Sequence, residues 1–211
     1  INLHASLLPD YRGSAPINWV IMNNEKITGV TTFFIDDKID TGDILIQEKI
    51  KIDKKINAGE LHDKLKLIGA SIVEKTLKGI VENSLQRVKQ IQKKDFNTAY
   101  KFDKKNIKID WNHNCLEIYN KIRGLSPYPG AKTSFVSKSG ETVNTIFYES
   151  EYLVEKHNHN NGTIIHEKGK IKISCKNGYL LIKNLKIEGK RRMDTESLLN
   201  GFKIEKYEMV K

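Results

Sequence analysis

Apolar and polar residues alternate from the first position. Ile1 and Leu3 are separated by Asn2, and His4 follows, which is the period-two pattern of a strand. Ala15 to Met22 reads as a short helix with Pro16 in its first turn, where proline is tolerated. Gly29 to Ile35 (GVTTFFI) is β-branched and aromatic and predicts a strand. Asp36 to Asp43 is a polar loop containing Gly42. Ile44, Ile46, Ile50 and Ile52 then alternate with Leu45, Gln47, Lys49 and Lys51 as the second strand of that pair. Leu61, Leu65, Ile68, Ile72 and Ile80 share one face at helical spacing, with Val73 and Leu77 beside them, and predict a helix from about Gly59 to Asn83. Strands followed by a long amphipathic helix fit an α/β domain.

Residues 84–100 have no clean period and hold a basic run; they read as a linker. Beyond them the texture changes. A helix is expected from about Asn114 to Arg123, stopped by Gly124 and the turn Pro127-Tyr128-Pro129-Gly130. Short alternating segments follow at Thr142–Tyr148, Gly162–His166, Ile171–Cys175 and Tyr179–Leu185, with Asn177-Gly178 as a hairpin signal between the last two. Regular short strands with tight turns predict a small β-barrel. The expected division is therefore 1–83, a linker 84–100, and 101–211. His157-Asn158-His159-Asn160-Asn161 reads as a solvated turn. The first residue is not Met, and the opening strand looks internal to a domain, so a further N-terminal piece is expected.

Composition narrows the classes. Hydrophobic residues make up 38% and charged residues 29%, enough apolar content for a core and too much for a disordered chain. No apolar run reaches the ~20 residues of a membrane helix, and the opening residues have no signal-peptide pattern. Cys115 and Cys175 are too few for a disulfide framework or a four-cysteine zinc site, so a reducing, cytoplasmic setting and no metal are expected. Neither phosphate-loop nor dinucleotide glycine motif occurs. The net charge of +10 is uneven: residues 1–100 carry 15 Lys and Arg against 13 Asp and Glu, and residues 101–211 carry 21 against 13. The second half is the candidate partner of a polyanion.

Asn2 and His4, two apart on a strand, point to the same side, and Asp40 sits in a glycine-containing loop that can reach that face. Together they offer an amide donor, an imidazole and a carboxylate. Acyl transfer to an amine uses such parts: a donor for the developing oxyanion, a base for the amine proton, and a carboxylate that orients the imidazole. Singly, each has a plain structural reading, His4 as a satisfied core residue and Asp40 as a turn former. The spacing alone does not decide.

Longer strings do. Asn2 to Ile17 (NLHASLLPDYRGSAPI), Gly29-Val30-Thr31 and Ile39 to Leu45 (IDTGDIL) resemble the folate-dependent formyltransferases. Ile109-Asp110-Trp111, Ile122-Arg123-Gly124 leading into Pro127-Tyr128-Pro129, Gly162-Thr163-Ile164 and Gly189 to Met193 (GKRRM) resemble the C-terminal domain of the branch that acts on methionyl-tRNA. The resemblance implies a partial Rossmann-like α/β formyltransferase domain followed by a small OB-like β-barrel domain. It implies transfer of a formyl group from 10-formyltetrahydrofolate to the amine of initiator methionyl-tRNA by a monomer. It places Asn2 on the formyl oxygen, His4 at the oxyanion, and Asp40 on the amine proton, through a water. Ser6, Leu7, Leu8 and Pro9 become the folate-contacting loop, with the Asp36–Asp43 backbone walling the pterin pocket. Lys104, Lys105, Arg123, Lys190, Arg191 and Arg192 become phosphate contacts, Arg191-Arg192 foremost. Ala5 departs from the family's usual Pro without loss of a catalytic group. Because the family's first strands are not in this chain, the chain alone is expected to be inactive. The rivals are a formyltransferase of the same fold acting on an amino sugar nucleotide or on an aldehyde-linked folate substrate, and a non-catalytic RNA-binding module.

Overall fold

The computed structural model describes residues 1–91, 95–167 and 169–211. It divides into two units, Ile1–Phe102 and Asp103–Lys211. The first runs β1 (Asn2–His4), β2 (Arg12–Gly13), α1 (Pro16–Met22), β3 (Ile27–Phe33), β4 (Ile44–Lys51), α2 (Ala58–Val81) and β5 (Thr98–Ala99). β1, β3 and β4 form an antiparallel sheet with β3 in the middle. His4 stands opposite Thr31, and Thr31 opposite Gln47. Thr28 to Phe33 are all buried, because both faces of β3 are covered. On one face Thr32 Oγ1 meets Thr76 Oγ1 of α2 at 2.7 Å; on the other, Thr31 Oγ1 donates to the Ser6 carbonyl at 2.6 Å.

Reciprocal bonds start α2: Asn57 Oδ1 accepts from Glu60 N at 3.0 Å, and Glu60 Oε2 accepts from Asn57 N at 2.9 Å. The helix buries Leu61, Leu65 and Ile72 as its period predicts, each contributing about 1.5–3 kcal/mol relative to exposure. The rest of the stripe is small: Gly69, Thr76 and Gly79. Ile68, Val73 and Ile80 are half-buried, and Leu77 is exposed. Tyr11, Val20, Ile21, Val30, Ile52, Ile56 and Ala99 complete the core.

The segment expected as a linker is bonded into the first unit at several points; residues 92–94 lie outside the described residues. Val88 and Ile44 exchange backbone hydrogen bonds at 2.8 and 2.9 Å. β5 pairs in parallel with β2, and Trp19 Nε1 donates to the Tyr100 carbonyl at 2.8 Å. Gly13, at φ +119°, is needed there, since a Cβ would collide with the Ala99 carbonyl oxygen. These are single-residue attachments rather than a repeating face, so no period announces them.

The second unit runs α3 (Cys115–Gly124), β6 (Ala131–Ser137), β7 (Thr142–Val154), β8 (Ile164–Glu167), β9 (Lys170–Cys175), β10 (Gly178–Ile187), β11 (Met193–Asp194), α4 (Thr195–Leu199), a 3-10 turn at Ile204–Lys206 and β12 (Tyr207–Val210). The sheet order is β12-β6-β7-β10-β9-β8, with β11 beside β10 and every pairing antiparallel. A bridge between Thr163 and Met209, with Val210 N donating to the Gly162 carbonyl at 2.8 Å, brings its two ends together into a nearly closed barrel-like sheet. Phe135, Phe147, Ile171, Ile173, Leu180 and Leu185 fill it. Trp111 is buried with its Nε1 on Thr133 Oγ1 at 3.1 Å. The hairpin at Asn177 also serves α3: Asn177 Oδ1 accepts from Cys115 N at 2.9 Å. His157, expected in a solvated turn, is half-buried, because its Nε2 donates to the Cys175 carbonyl at 2.8 Å and its ring lies 4.7 Å from that of Tyr179. Among the described residues, no helix is long and apolar enough to cross a membrane.

Candidate active site

β1 delivers His4 into the interior, where its ring is held at both ends. Nε2 donates to the Tyr11 carbonyl at 2.8 Å, and Nδ1 stands 3.6 Å from Asp40 Oδ2. The ring therefore has a carbonyl at hydrogen-bond distance from Nε2 and a carboxylate within ion-pair distance of Nδ1. The two side chains are 7% and 13% exposed, which removes most of the solvent screening that weakens surface pairs. Asp40 adopts a left-handed backbone, φ +55°, and its Oδ2 also accepts the Gly13 N–H at 2.9 Å. Gly42, two residues on, leaves no room for a side chain: a Cβ would collide with the Phe34 carbonyl oxygen. The loop between β3 and β4 thus places its carboxylate by close backbone contact.

Asn2 lies on the same strand but is exposed, and its Oδ1 accepts the Leu3 N–H at 2.8 Å. Among the described residues no hydrogen bond joins it to His4 or Asp40. The following loop is bound from within. Ser6 Oγ donates to the Asp10 carbonyl at 2.6 Å, Leu8 N donates to Thr31 Oγ1 at 3.2 Å, and Gln47 Nε2 donates to the Leu8 carbonyl at 2.8 Å and to Thr31 Oγ1 at 2.9 Å. Ser6 and Leu8 are buried; Leu7 and Pro9 are half-buried. Leu7 and Pro9 are thus the partly exposed apolar positions of a loop whose Ser6 hydroxyl and Leu8 amide and carbonyl are satisfied from within. Gln47 and Gln90 escaped the sequence reading, since a lone glutamine has no signal of its own. Thr31 lay within a matched string, but nothing marked its hydroxyl.

In the second unit Lys104, Lys105, Lys190, Arg191 and Arg192 are exposed, whereas Arg123 is buried. Arg123 Nε donates to Asn120 Oδ1 at 2.9 Å, its guanidinium lies 5.6 Å from the Tyr119 ring centroid, and burial lowers its pKa from the ordinary arginine value. That side chain is held inside the unit, unlike the five exposed cations expected beside it as phosphate contacts. Arg192 stacks 4.2 Å from the Tyr148 ring centroid and bonds Asn184, and with Lys190 and Arg191 it lines a groove of about 430 Å³. Two further grooves share Lys108. One, of about 520 Å³, also holds Lys105 and Lys211; the other, of about 430 Å³, holds Lys104 and Lys132. None of these five lysines has an acidic partner within ion-pair distance among the described residues. Lys108, Lys132 and Lys211 are far apart in sequence and meet only in the fold.

Comparison with known proteins fits both units. A family described as formyl transferase matches residues 1–77, and one described as formyl transferase, C-terminal domain, matches residues 101–203. Proteins named methionyl-tRNA formyltransferase from Flavobacterium johnsoniae and Flavobacterium psychrophilum are 49% and 45% identical over 95% and 99% of the chain. The chain spans 63% and 66% of their own lengths. The solved structure of WlaRD, titled a sugar 3N-formyl transferase in the presence of dTDP and 5-N-formyl-THF, is 27% identical with a TM-score of 0.66, covering 90% of this chain and 65% of that one. With both domain matches in order and a methionyl-tRNA formyltransferase aligned along nearly all of this chain, the chain belongs to the formyl transferase family.

Proposed function

We propose that this chain supplies the reacting residues and the RNA-binding unit of an enzyme that moves the formyl group of 10-formyltetrahydrofolate onto the amine of methionyl-initiator tRNA. The His4–Asp40 pair, nearly sealed from water, carries the reading. The amine attacks the formyl carbon, the carbonyl electrons become an oxyanion, and the bond to the folate nitrogen breaks as that nitrogen gains a proton. The products are formylmethionyl-tRNA and tetrahydrofolate. Asn2 supplies a neutral donor for the formyl oxygen. His4, with Nε2 committed to Tyr11 and Nδ1 facing Asp40, stands at the oxyanion, and Asp40 takes the amine proton by way of a water. Leu7 and Pro9 offer a flat pterin an apolar edge, and the folate-bound neighbour supports that donor. Such an enzyme works in the cytoplasm, where charged tRNA is found.

Two observations favour tRNA over a sugar nucleotide. The relatives at 45–49% identity carry the methionyl-tRNA name, whereas the sugar enzyme stands at 27%. The second unit also holds, around adjoining grooves, five lysines with no acidic partner within ion-pair distance among the described residues, a surface suited to a phosphate backbone. The test is retention of labelled methionyl-initiator tRNA on the chain in the presence of a dTDP-linked amino sugar, with 5-formyltetrahydrofolate binding measured in parallel. Retained tRNA together with folate binding is the expected result. Displacement by the sugar nucleotide would move the chain to the sugar branch. Retained tRNA without folate binding would leave an RNA-binding module.

A further inference from the structure

Gln90 lies beyond α2, far in sequence from the reacting residues, yet its side chain is fixed to the frame of the site. Its Oε1 accepts from Arg12 Nε at 3.1 Å and from Arg12 Nη2 at 2.5 Å. Its Nε2 donates to the carbonyl oxygens of Asp40 at 2.9 Å and of Gly42 at 2.8 Å. A guanidinium only donates and a carbonyl only accepts, so the partners dictate which end of the amide is oxygen. Glutamate would lack the donors for the two carbonyls, and lysine would lack the acceptor for Arg12. The turn requires such a hold. Asp40 is a non-glycine residue in the left-handed region, and Gly42 is pressed against the Phe34 carbonyl. Arg12 is followed directly by Gly13, whose N–H fixes the Asp40 carboxylate. Gln90 therefore ties the backbone of residue 40 to the short segment that holds its side chain.

We infer that Gln90 is a positioning residue for the His4–Asp40 pair: it clamps the Asp40–Gly42 turn to Arg12 and keeps the carboxylate against His4 Nδ1. The inference rests on the reading of that pair as the reacting centre.

The test follows the His4 Nδ1 resonance and the Gly13 amide exchange rate by NMR on the full 211-residue chain. Asp40→Asn moves the resonance and sets the full displacement. Gln90→Met, similar in volume but without the hydrogen bonds, moves it in the same direction by about half as much and raises Gly13 exchange about tenfold, the loss of one typical hydrogen bond. The Val30 amide, in the sheet, keeps its protection. A general loss of structure would raise exchange at both amides and is thereby distinguished. Should Gln90→Met fail to fold, Gln90→Glu replaces it, retaining the acceptor for Arg12 and losing both donors. A resonance that ignores Asp40→Asn overturns the pair itself. A resonance that responds to Asp40→Asn but not to the Gln90 variants, with Gly13 still protected, overturns the clamp alone.

Discussion

Asp40 holds its place through two of its own atoms, its carbonyl oxygen accepting from Gln90 Nε2 and its Oδ2 accepting from the Gly13 N–H and facing His4 Nδ1, with its backbone at φ +55°. The Asp40–Gly42 turn depends on Gly42 having no side chain. Gly42→Ala puts a methyl against the Phe34 carbonyl, with no apolar gap to receive it. We expect a loss of about 1–3 kcal/mol, read as a lower urea midpoint at unchanged slope. An unmoved midpoint would show that the turn gives way freely. At this scale the reading from sequence reached His4, Asp40 and Gly42 because they lie in strings with fixed spacing. It did not reach Gly13 N–H or the Tyr11 carbonyl, because any residue type supplies a backbone group. Arg123 misled for a related reason: a guanidinium looks solvent-seeking until the fold supplies Asn120 and Tyr119 around it.

At the scale of elements, period is legible in the sequence, while closeness of approach is not. α2 was expected over about Gly59–Asn83 and occupies Ala58–Val81. Its buried stripe passes through Gly69, Thr76 and Gly79, small residues that a hydrophobic count overlooks but that let Leu3, Thr32 and Leu85 come near. β6 has no readable period because Thr133 and Ser137 stand at buried positions and blur its alternation, and β12 is only four residues long. α3 gives a pH prediction. Asn114 N donates to Glu117 Oε2 at 2.9 Å, and this bond holds the Glu117 carboxyl below its usual range. The unfolded chain then binds the proton more readily. The contribution is complete above the ordinary glutamate value of about 4.3 and disappears as pH falls through the folded value. Glu117→Gln should flatten the rise of Tm with pH between about 3 and 5; a parallel profile would count against the cap.

Across the whole molecule, charge separates the two units more plainly than hydrophobicity does. The excess of positive charge falls after residue 100, and in the second unit Lys104, Lys105, Lys108, Lys132 and Lys211 converge on adjoining grooves. Lys108→Gln with Lys132→Gln should weaken tRNA binding and reduce the slope of log K against log salt by about 1–2. Arg123→Met, by contrast, should lower Tm and leave that slope unchanged, as expected of an interior side chain. The opposite pattern would return Arg123 to the binding surface and remove the lysines from it.

By itself the sequence determined the family, the strand–loop–strand–helix order of the first unit, the β-rich character of the second and the expectation that the Asp40 loop can reach the face of His4. All of these are written in local period or in contiguous strings. The tertiary structure alone decided that His4 and Asp40 lie 3.6 Å apart, that Gln90 clamps their loop, that the segment after α2 is bonded into the first unit, and that Arg123 is interior while Lys108, Lys132 and Lys211 gather. The reason is that hydrogen bonding and burial act between atoms brought close by the fold, whatever their distance along the chain, and a sequence lists only that second distance.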